Sequence, residues 1–158
     1  GLGLGFTLQR VLGDPRVADV TVIEIEESII EWLRDGTVPY GPALLDDPRV
    51  RLVNDDIAVA LSGLTDPYDL ILLDVDNGPG YLVYDDNEAV YQHDFLNRCR
   101  AILAPTGVLV IWSANTAPGL LATLRSIFDN AEEQAHDVLL QDRAESYFLY
   151  LARGSVAE

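Results

Sequence analysis

The chain opens with Gly1-Leu2-Gly3-Leu4-Gly5 and reaches Asp19-Val20-Thr21-Val22-Ile23-Glu24-Ile25 after one intervening segment. Glycines at alternate positions (Gly1, Gly3 and Gly5) leave no Cβ in the way, so a ligand can approach the backbone closely. Between the two stretches, Leu8, Val11 and Leu12 recur at helical spacing, which predicts a short helix over Phe6–Leu12. The run Asp19–Ile25 is rich in β-branched residues and predicts a strand with an acid, Glu24, at its far end. A glycine loop, a helix and a strand ending in a carboxylate together build a nucleotide site. The loop takes the polar linker and the carboxylate accepts ribose hydroxyls.

The remaining chain repeats the alternation. Glu26 or Ser28 can cap a helix carrying Ile29, Ile30, Trp32 and Leu33. The Gly- and Pro-rich segment Asp35–Asp47 is expected to be a loop. Arg49–Val53 predicts a short strand running into Asn54-Asp55-Asp56, with a short helix over Ile57–Leu64. Tyr68–Leu73 (YDLILL) is a continuous apolar run, as expected for the buried middle of a parallel sheet. It ends in Asp74-Val75-Asp76-Asn77-Gly78-Pro79-Gly80. A helix over Ala89–Leu103 with Tyr91, Phe95, Cys99 and Ile102 on its stripe, a strand over Val108–Trp112 and a helix from Pro118 follow. Two closing strands, Ala131–Leu140 and Ser146–Arg153, add an antiparallel edge. This order predicts an α/β, doubly wound, mostly parallel sheet with helices on both faces and a C-terminal antiparallel pair. Ligands collect beyond the carboxyl ends of strands in such sheets. Glu24, Asp55, Asp74 and Asp76 all fall there.

A length of 158 residues, 49% hydrophobic and 23% charged, predicts one soluble domain spanning residues 1–158. A glycine loop of this kind normally follows a strand, yet Gly1 follows none, and the chain contains no methionine. The sequence is therefore expected to be part of a longer protein, without its N-terminal region and the first strand of the sheet. That strand is central in this fold, so the segment alone is expected to be poorly stable unless another strand fills the gap. A net charge of −16 opposes a nucleic-acid partner and suits a cationic substrate. A membrane partner is not expected, because no apolar run reaches the roughly 18 residues of a span. The single Cys99 is expected to be a core thiol, and His93 and His136 surface residues, so no metal site is expected.

These pieces together resemble the spermidine synthase family, within the class I S-adenosylmethionine-dependent methyltransferase fold (Rossmann-like). The residues carrying the resemblance are the glycine loop, VIEIEESII, DDPRVRLVNDDIAVAL, YDLILLDVDNGPG and LAPTGVLVIW. The resemblance implies that Gly1, Gly3 and Gly5 lie against the methionine-derived part of the co-substrate. It implies that Glu24 binds both ribose hydroxyls and that Asp55 accepts from the adenine amino group, with Ile25 and Ile57 beside the ring. Asp74 would be the carboxylate next to the reacting sulfonium, and Asp74 and Asp76 would receive a cationic amine. The co-substrate implied is S-adenosylmethionine or its decarboxylated form, without a metal, in a cytoplasmic enzyme acting on a small molecule such as a polyamine. A homo-oligomer is implied as well.

Two positions depart from the family pattern. Leu4 stands near an acid that polyamine synthases carry inside the glycine loop, and their second loop acid falls on Asn77 here. Three readings follow: aminopropyl transfer to a small amine, methyl transfer from S-adenosylmethionine, and a non-catalytic nucleoside-binding or assembly module.

Overall fold

The computed structural model describes residues 1–75, 77–80, 82, 85–140 and 143–154. The chain divides into two compact units, residues 1–63 and 64–158.

In the first unit the elements run α1 (Phe6–Leu12), β1 (Val20–Glu24), α2 (Glu27–Arg34), α3 (Gly41–Leu45), β2 (Val50–Asn54) and α4 (Ile57–Ala60), with a 3₁₀ turn over Leu61–Gly63. The strands β1 and β2 pair in parallel, with Val22 opposite Leu52 and Glu24 opposite Asn54. Leu2, Leu8, Val22, Ile30, Leu33, Val38 and Leu44 form the core beneath them. The segment expected to be a loop thus contains a helix, α3. Its Pro42 sits in the first turn, where a proline's missing N–H costs nothing. Arg49 ties the unit's lower end together, donating to the carbonyls of Leu12 and Val17 at 3.1 and 3.3 Å. Its guanidinium also holds the Asp47 carboxyl down at about 2.

The second unit contains β3 (Tyr68–Leu73), a 3₁₀ segment over Asp85–Tyr91, α5 (His93–Ala101), β4 (Leu103–Ser113), α6 (Pro118–Ile127), β5 (Asn130–Leu140) and β6 (Arg143–Arg153). The strand order is β3-β4-β6-β5. The β3–β4 pair is parallel and the remaining pairs are antiparallel, with Leu73 opposite Ile111 and Ile111 opposite Tyr150. Among the described residues β1 has the one strand neighbour β2, and β3 the one neighbour β4.

One face of this four-stranded sheet is buried. Leu109, Ile111, Tyr150 and Ala152 are fully covered, as are Leu96 of α5 and Leu124 of α6. Cys99 is buried with them, and its burial pushes the thiol up to about 12. On β3 the alternate residues Leu70 and Leu72 stay 46% and 39% exposed. Their register partners Val108 and Val110 are half-buried. The apolar run of β3 is therefore not buried on both sides, contrary to its sequence pattern.

Two side chains also differ from their expected environments. His136 is half-buried, stacked on Tyr147 with ring centroids 5.1 Å apart, rather than a surface residue. Trp32, read with Ile29, Ile30 and Leu33 as the apolar set of its helix, is 48% exposed on α2.

Tyr150 joins three elements. Its hydroxyl donates to Glu133 Oε2 on β5 at 2.6 Å and accepts the N–H of Ala117, the residue just before α6. Burial, reinforced by Glu133, raises this phenol to about 12, so it remains a donor at any working pH. Tyr150→Phe would leave the buried Ala117 amide without its acceptor, an expected loss of about 1–3 kcal/mol. A lowered Tm with unchanged far-ultraviolet circular dichroism is the expected observation.

Candidate functional site

The first group of site residues is built by the parallel pair β1–β2. Both strands end side by side, so Glu24 and Asp55 follow from adjacent carboxyl ends, and the Asp55 N–H donates to the Glu24 carbonyl at 3.1 Å. Asn54 sets the exit of β1, its Nδ2 donating to the carbonyls of Glu24 and Ile25 at 2.8 and 3.1 Å.

The Glu24 carboxylate is 6% exposed, one of two buried polar residues among the described ones. Its Oε2 accepts the N–H groups of Leu2 and Gly3 at 2.7 and 3.4 Å, and Oε1 accepts the N–H of Glu26 at 2.8 Å. A buried carboxylate needs such donors. Here they come from the glycine loop itself, so the acid at the end of β1 fixes the loop at the start of the chain. A carboxylate oxygen can accept two hydrogen bonds, so Oε1, which accepts one here, retains acceptor capacity for a hydroxyl.

The loop closes with the Gly5 N–H on the Leu2 carbonyl at 3.0 Å. Gly5 has φ of +82°, and a Cβ there would lie 2.9 Å from Leu44 Cδ1. Glycine is required at this point both by conformation and by space. Tyr40 braces the same loop from α3's leading end, donating to the Leu4 carbonyl at 2.9 Å.

Asp55 is exposed, with Oδ1 accepting the Asp56 N–H at 2.8 Å. Asp56 is the helix cap, its Oδ1 accepting the Ala58 N–H at 2.7 Å. The neighbouring acids thus divide two tasks, and the carboxylate of Asp55 has capacity for an exocyclic amine. Ile25 is 62% exposed directly after Glu24, and Ile57 is half-buried after Asp56. Gly1, Gly3, Gly5, Glu24, Ile25, Asp55 and Ile57 accordingly lie in one unit. Within it, two acids lie at adjacent strand ends, and of the two isoleucines beside them Ile25 is the one open to solvent.

The second group lies at the carboxyl ends of β3 and β4. Asp74 leaves β3 exposed, yet the protein around its carboxyl raises it above the usual carboxylate range. Asn77 and Gly78 continue that segment. The Ala114 N–H donates to the Asn77 carbonyl at 3.0 Å. Ser113 at the end of β4 is 1% exposed, so it is no surface contact for a substrate. Asp76 lies outside the described residues.

Sequence reasoning did not find Tyr40, Asn54 or the approach of Gly78 to Ser113, where a Cβ on Gly78 would lie 2.0 Å from Ser113 Oγ, as parts of these groups. Tyr40 sits in a stretch without periodicity, and the contacts of Asn54 and Ser113 depend on strand pairing.

Among the described residues no helix is long and apolar enough to cross a membrane. No group of three or more His, Cys, Asp or Glu side chains among them is arranged to hold a metal ion.

Comparison with known proteins gives consistent matches. The spermine/spermidine synthase domain matches residues 1–138, a span that includes both groups of site residues. Polyamine aminopropyltransferase 2 of Pseudomonas aeruginosa is 27% identical over 139 residues, which cover 81% of this chain and 38% of that protein. A polyamine aminopropyltransferase of Escherichia coli is 28% identical over 112 residues, covering 70% of this chain and 36% of its own length. The chain thus spans less than two fifths of the length of these relatives.

Among solved structures, a spermidine synthase in complex with the transition-state analogue AdoDATO superposes with a TM-score of 0.82. It is 18% identical, and the match covers 99% of this chain and 54% of that one. Human methyltransferase-like protein 13 in complex with SAH superposes with a TM-score of 0.70 at 22% identity, covering 98% and 69%. The fold is the α/β Rossmann-like methyltransferase fold, closed by the antiparallel pair β5–β6.

Proposed function

Because the chain belongs to the spermine/spermidine synthase family, we propose that it is a transferase that uses decarboxylated S-adenosylmethionine and moves its aminopropyl group to a small amine. The observation that carries this reading is the pairing of Glu24 and Asp55 at adjacent strand ends, with Glu24 already bonded to the glycine loop. Two acceptors so placed suit the two polar ends of an adenosine. Glu24 takes the ribose hydroxyls and Asp55 the adenine amino group. Ile25 offers the apolar surface that a purine ring needs on its face, and Ile57 borders it. Gly1 and Gly3 let the aminopropyl-bearing chain run close to the backbone, and Gly5 turns the loop beneath it.

Asp74 supplies the chemistry in this reading. The amine nitrogen attacks the carbon attached to the sulfonium, the C–N bond forms, and the C–S bond breaks with its electron pair returning to sulfur. The departing proton passes from nitrogen to the Asp74 carboxylate and on to solvent. A sulfonium leaves readily, so the protein contributes mainly position. A cationic amine is also drawn by a chain of net charge −16. Asp76 would add to that attraction as a second carboxylate of the same segment.

One observation favours a second reading. Leu4 is 51% exposed on the glycine loop and offers no charge to the amino group of an aminopropyl chain. Asn77 likewise offers an amide to the acceptor in place of a carboxylate. A methyltransferase using S-adenosylmethionine itself has no need of either charge.

Calorimetric titration of both forms of the co-substrate separates these readings. Tighter binding of the decarboxylated form by about tenfold or more, roughly 1.4 kcal/mol, supports aminopropyl transfer and leads directly to a putrescine assay. The reverse preference replaces it with methyl transfer. Binding of neither overturns both and leaves a non-catalytic assembly module.

A further inference from the structure

We propose that Ser113 is a positioning residue, the fixed seat on which Asn77 and Gly78, which follow Asp74, are held at the carboxyl end of β3. The inference deepens the reading of Asp74 as the group that receives the amine proton, and rests on it.

The parallel register sets Leu73 opposite Ile111, so the segments following β3 and β4 leave the sheet as neighbours. Ser113 ends β4 at 1% exposure, and its hydroxyl is committed locally. It donates to the Asn115 carbonyl at 2.7 Å and accepts the Asn115 N–H at 3.4 Å. The turn after β4 is therefore stapled to itself and anchored in the core.

Gly78 lies directly on this anchor. A Cβ on Gly78 would fall 2.0 Å from Ser113 Oγ, 2.7 Å from its Cβ and 3.1 Å from its Cα. Gly78 also has φ of +97°, a conformation that side chains disfavour. One residue earlier, the Asn77 carbonyl accepts the Ala114 N–H at 3.0 Å. Two consecutive residues of the Asp74 segment are thus held by two consecutive residues of the β4 turn, one by close packing and one by a hydrogen bond. A displacement of about 1 Å at a reacting group can cost about 100-fold in rate. A loop that carries a base needs such an anchor, and Ser113 supplies it without touching substrate.

The test compares wild type with Gly78→Ala, Ser113→Ala and the double variant Gly78→Ala/Ser113→Gly. Three quantities are read: kcat and KM for transfer, co-substrate affinity by calorimetry, and the Asp74 carboxyl titration by carbon-detected NMR. Gly78→Ala is expected to lower kcat about 10- to 100-fold while co-substrate affinity stays within about twofold. Its Asp74 titration should move back toward the ordinary 3.8.

The double variant removes the Ser113 side chain, and with it the two shortest clashes. What remains is the crowding against the backbone of residue 113 and the positive φ. It should recover part of the loss. Ser113→Ala keeps the Cβ of the seat but loses its hydroxyl and the staple, with an expected kcat loss of about 3- to 10-fold that is read even if Gly78→Ala fails to fold.

An unchanged Asp74 titration in folded Gly78→Ala overturns the proposal. So does a double variant no better than the single one, because backbone conformation alone would then explain the loss. If the wild type transfers nothing, the functional reading fails, while the NMR titration still decides whether Ser113 and Gly78 position Asp74.

Discussion

Glu24→Ala is expected to abolish binding of the adenosine co-substrate and to destabilise the N-terminal unit in the same step. The carboxylate accepts the N–H groups of Leu2, Gly3 and Glu26. Leu2 is itself 5% exposed, so its amide has no solvent to turn to once the acceptor is gone. An orphaned buried donor costs about 1–3 kcal/mol. Ligand affinity should fall by about 100-fold or more, roughly 3 kcal/mol, because the proposed ribose acceptor and the loop's anchor disappear together.

Glu24→Gln makes the point more sharply, since it keeps size and removes charge. Both ends of the Glu24 carboxylate receive backbone N–H groups. An amide in either orientation sets its NH2 against one of them. A lowered Tm is therefore expected for the glutamine variant as well.

Asp55→Ala is the control. Asp55 is exposed, so its removal should weaken nucleoside binding by about tenfold with Tm nearly unchanged. If Glu24→Gln binds the co-substrate like wild type, the ribose role assigned to Glu24 is wrong. A glutamine variant with normal Tm and lost binding would confine Glu24 to ligand contact.

The anchoring of the glycine loop by Glu24 marks the boundary of what the sequence reveals. The position of the acid was legible, because a β-branched run ending in a carboxylate after a glycine loop is a local pattern. That the same carboxylate fixes Leu2 and Gly3 was not, because those bonds join residues more than 20 positions apart. The strand Tyr68–Leu73 was legible to its ends for the same local reason.

The exposure of Leu70 and Leu72 was illegible. An apolar run states what a strand can bury, and only its neighbours determine what it does bury. The helix α3 was hidden by Gly41 and Pro42, which read as breakers along the chain. With Gly41 close against the backbone of Leu33 in the folded unit, they instead start a short helix. Likewise β4 begins at Leu103, earlier than Val108, because Tyr68 pairs with Leu103 across an irregular register around Pro105–Gly107. The Gly78–Ser113 seat left no trace beyond an ordinary turn glycine and an ordinary serine.

Asp74→Asn is expected to reduce transfer by about 100- to 10,000-fold while leaving co-substrate affinity within about twofold. The asparagine keeps the shape of the carboxylate and can still hydrogen-bond an amine, but it cannot take the proton. The pH profiles should differ in a defined direction. The protein around Asp74 raises its carboxyl above 3.8, so a wild-type rate that depends on the carboxylate must rise as pH passes through that raised value. The variant should lose this limb.

Stability runs the other way. A carboxyl with a raised folded pKa gives the folded state a proton that the unfolded chain does not hold between the two values. Its stabilising contribution is full below 3.8 and is lost as pH rises through the folded value. At neutral pH the charged Asp74 is therefore a cost that asparagine removes. The variant should melt higher than wild type at neutral pH and no higher below 3.8. A gain in Tm joined to a loss of turnover is the pattern of a residue kept for chemistry against stability. Full turnover in Asp74→Asn with the acid limb intact would remove Asp74 from the mechanism. A Tm gain without any loss of turnover would leave its carboxylate a passive, poorly solvated charge.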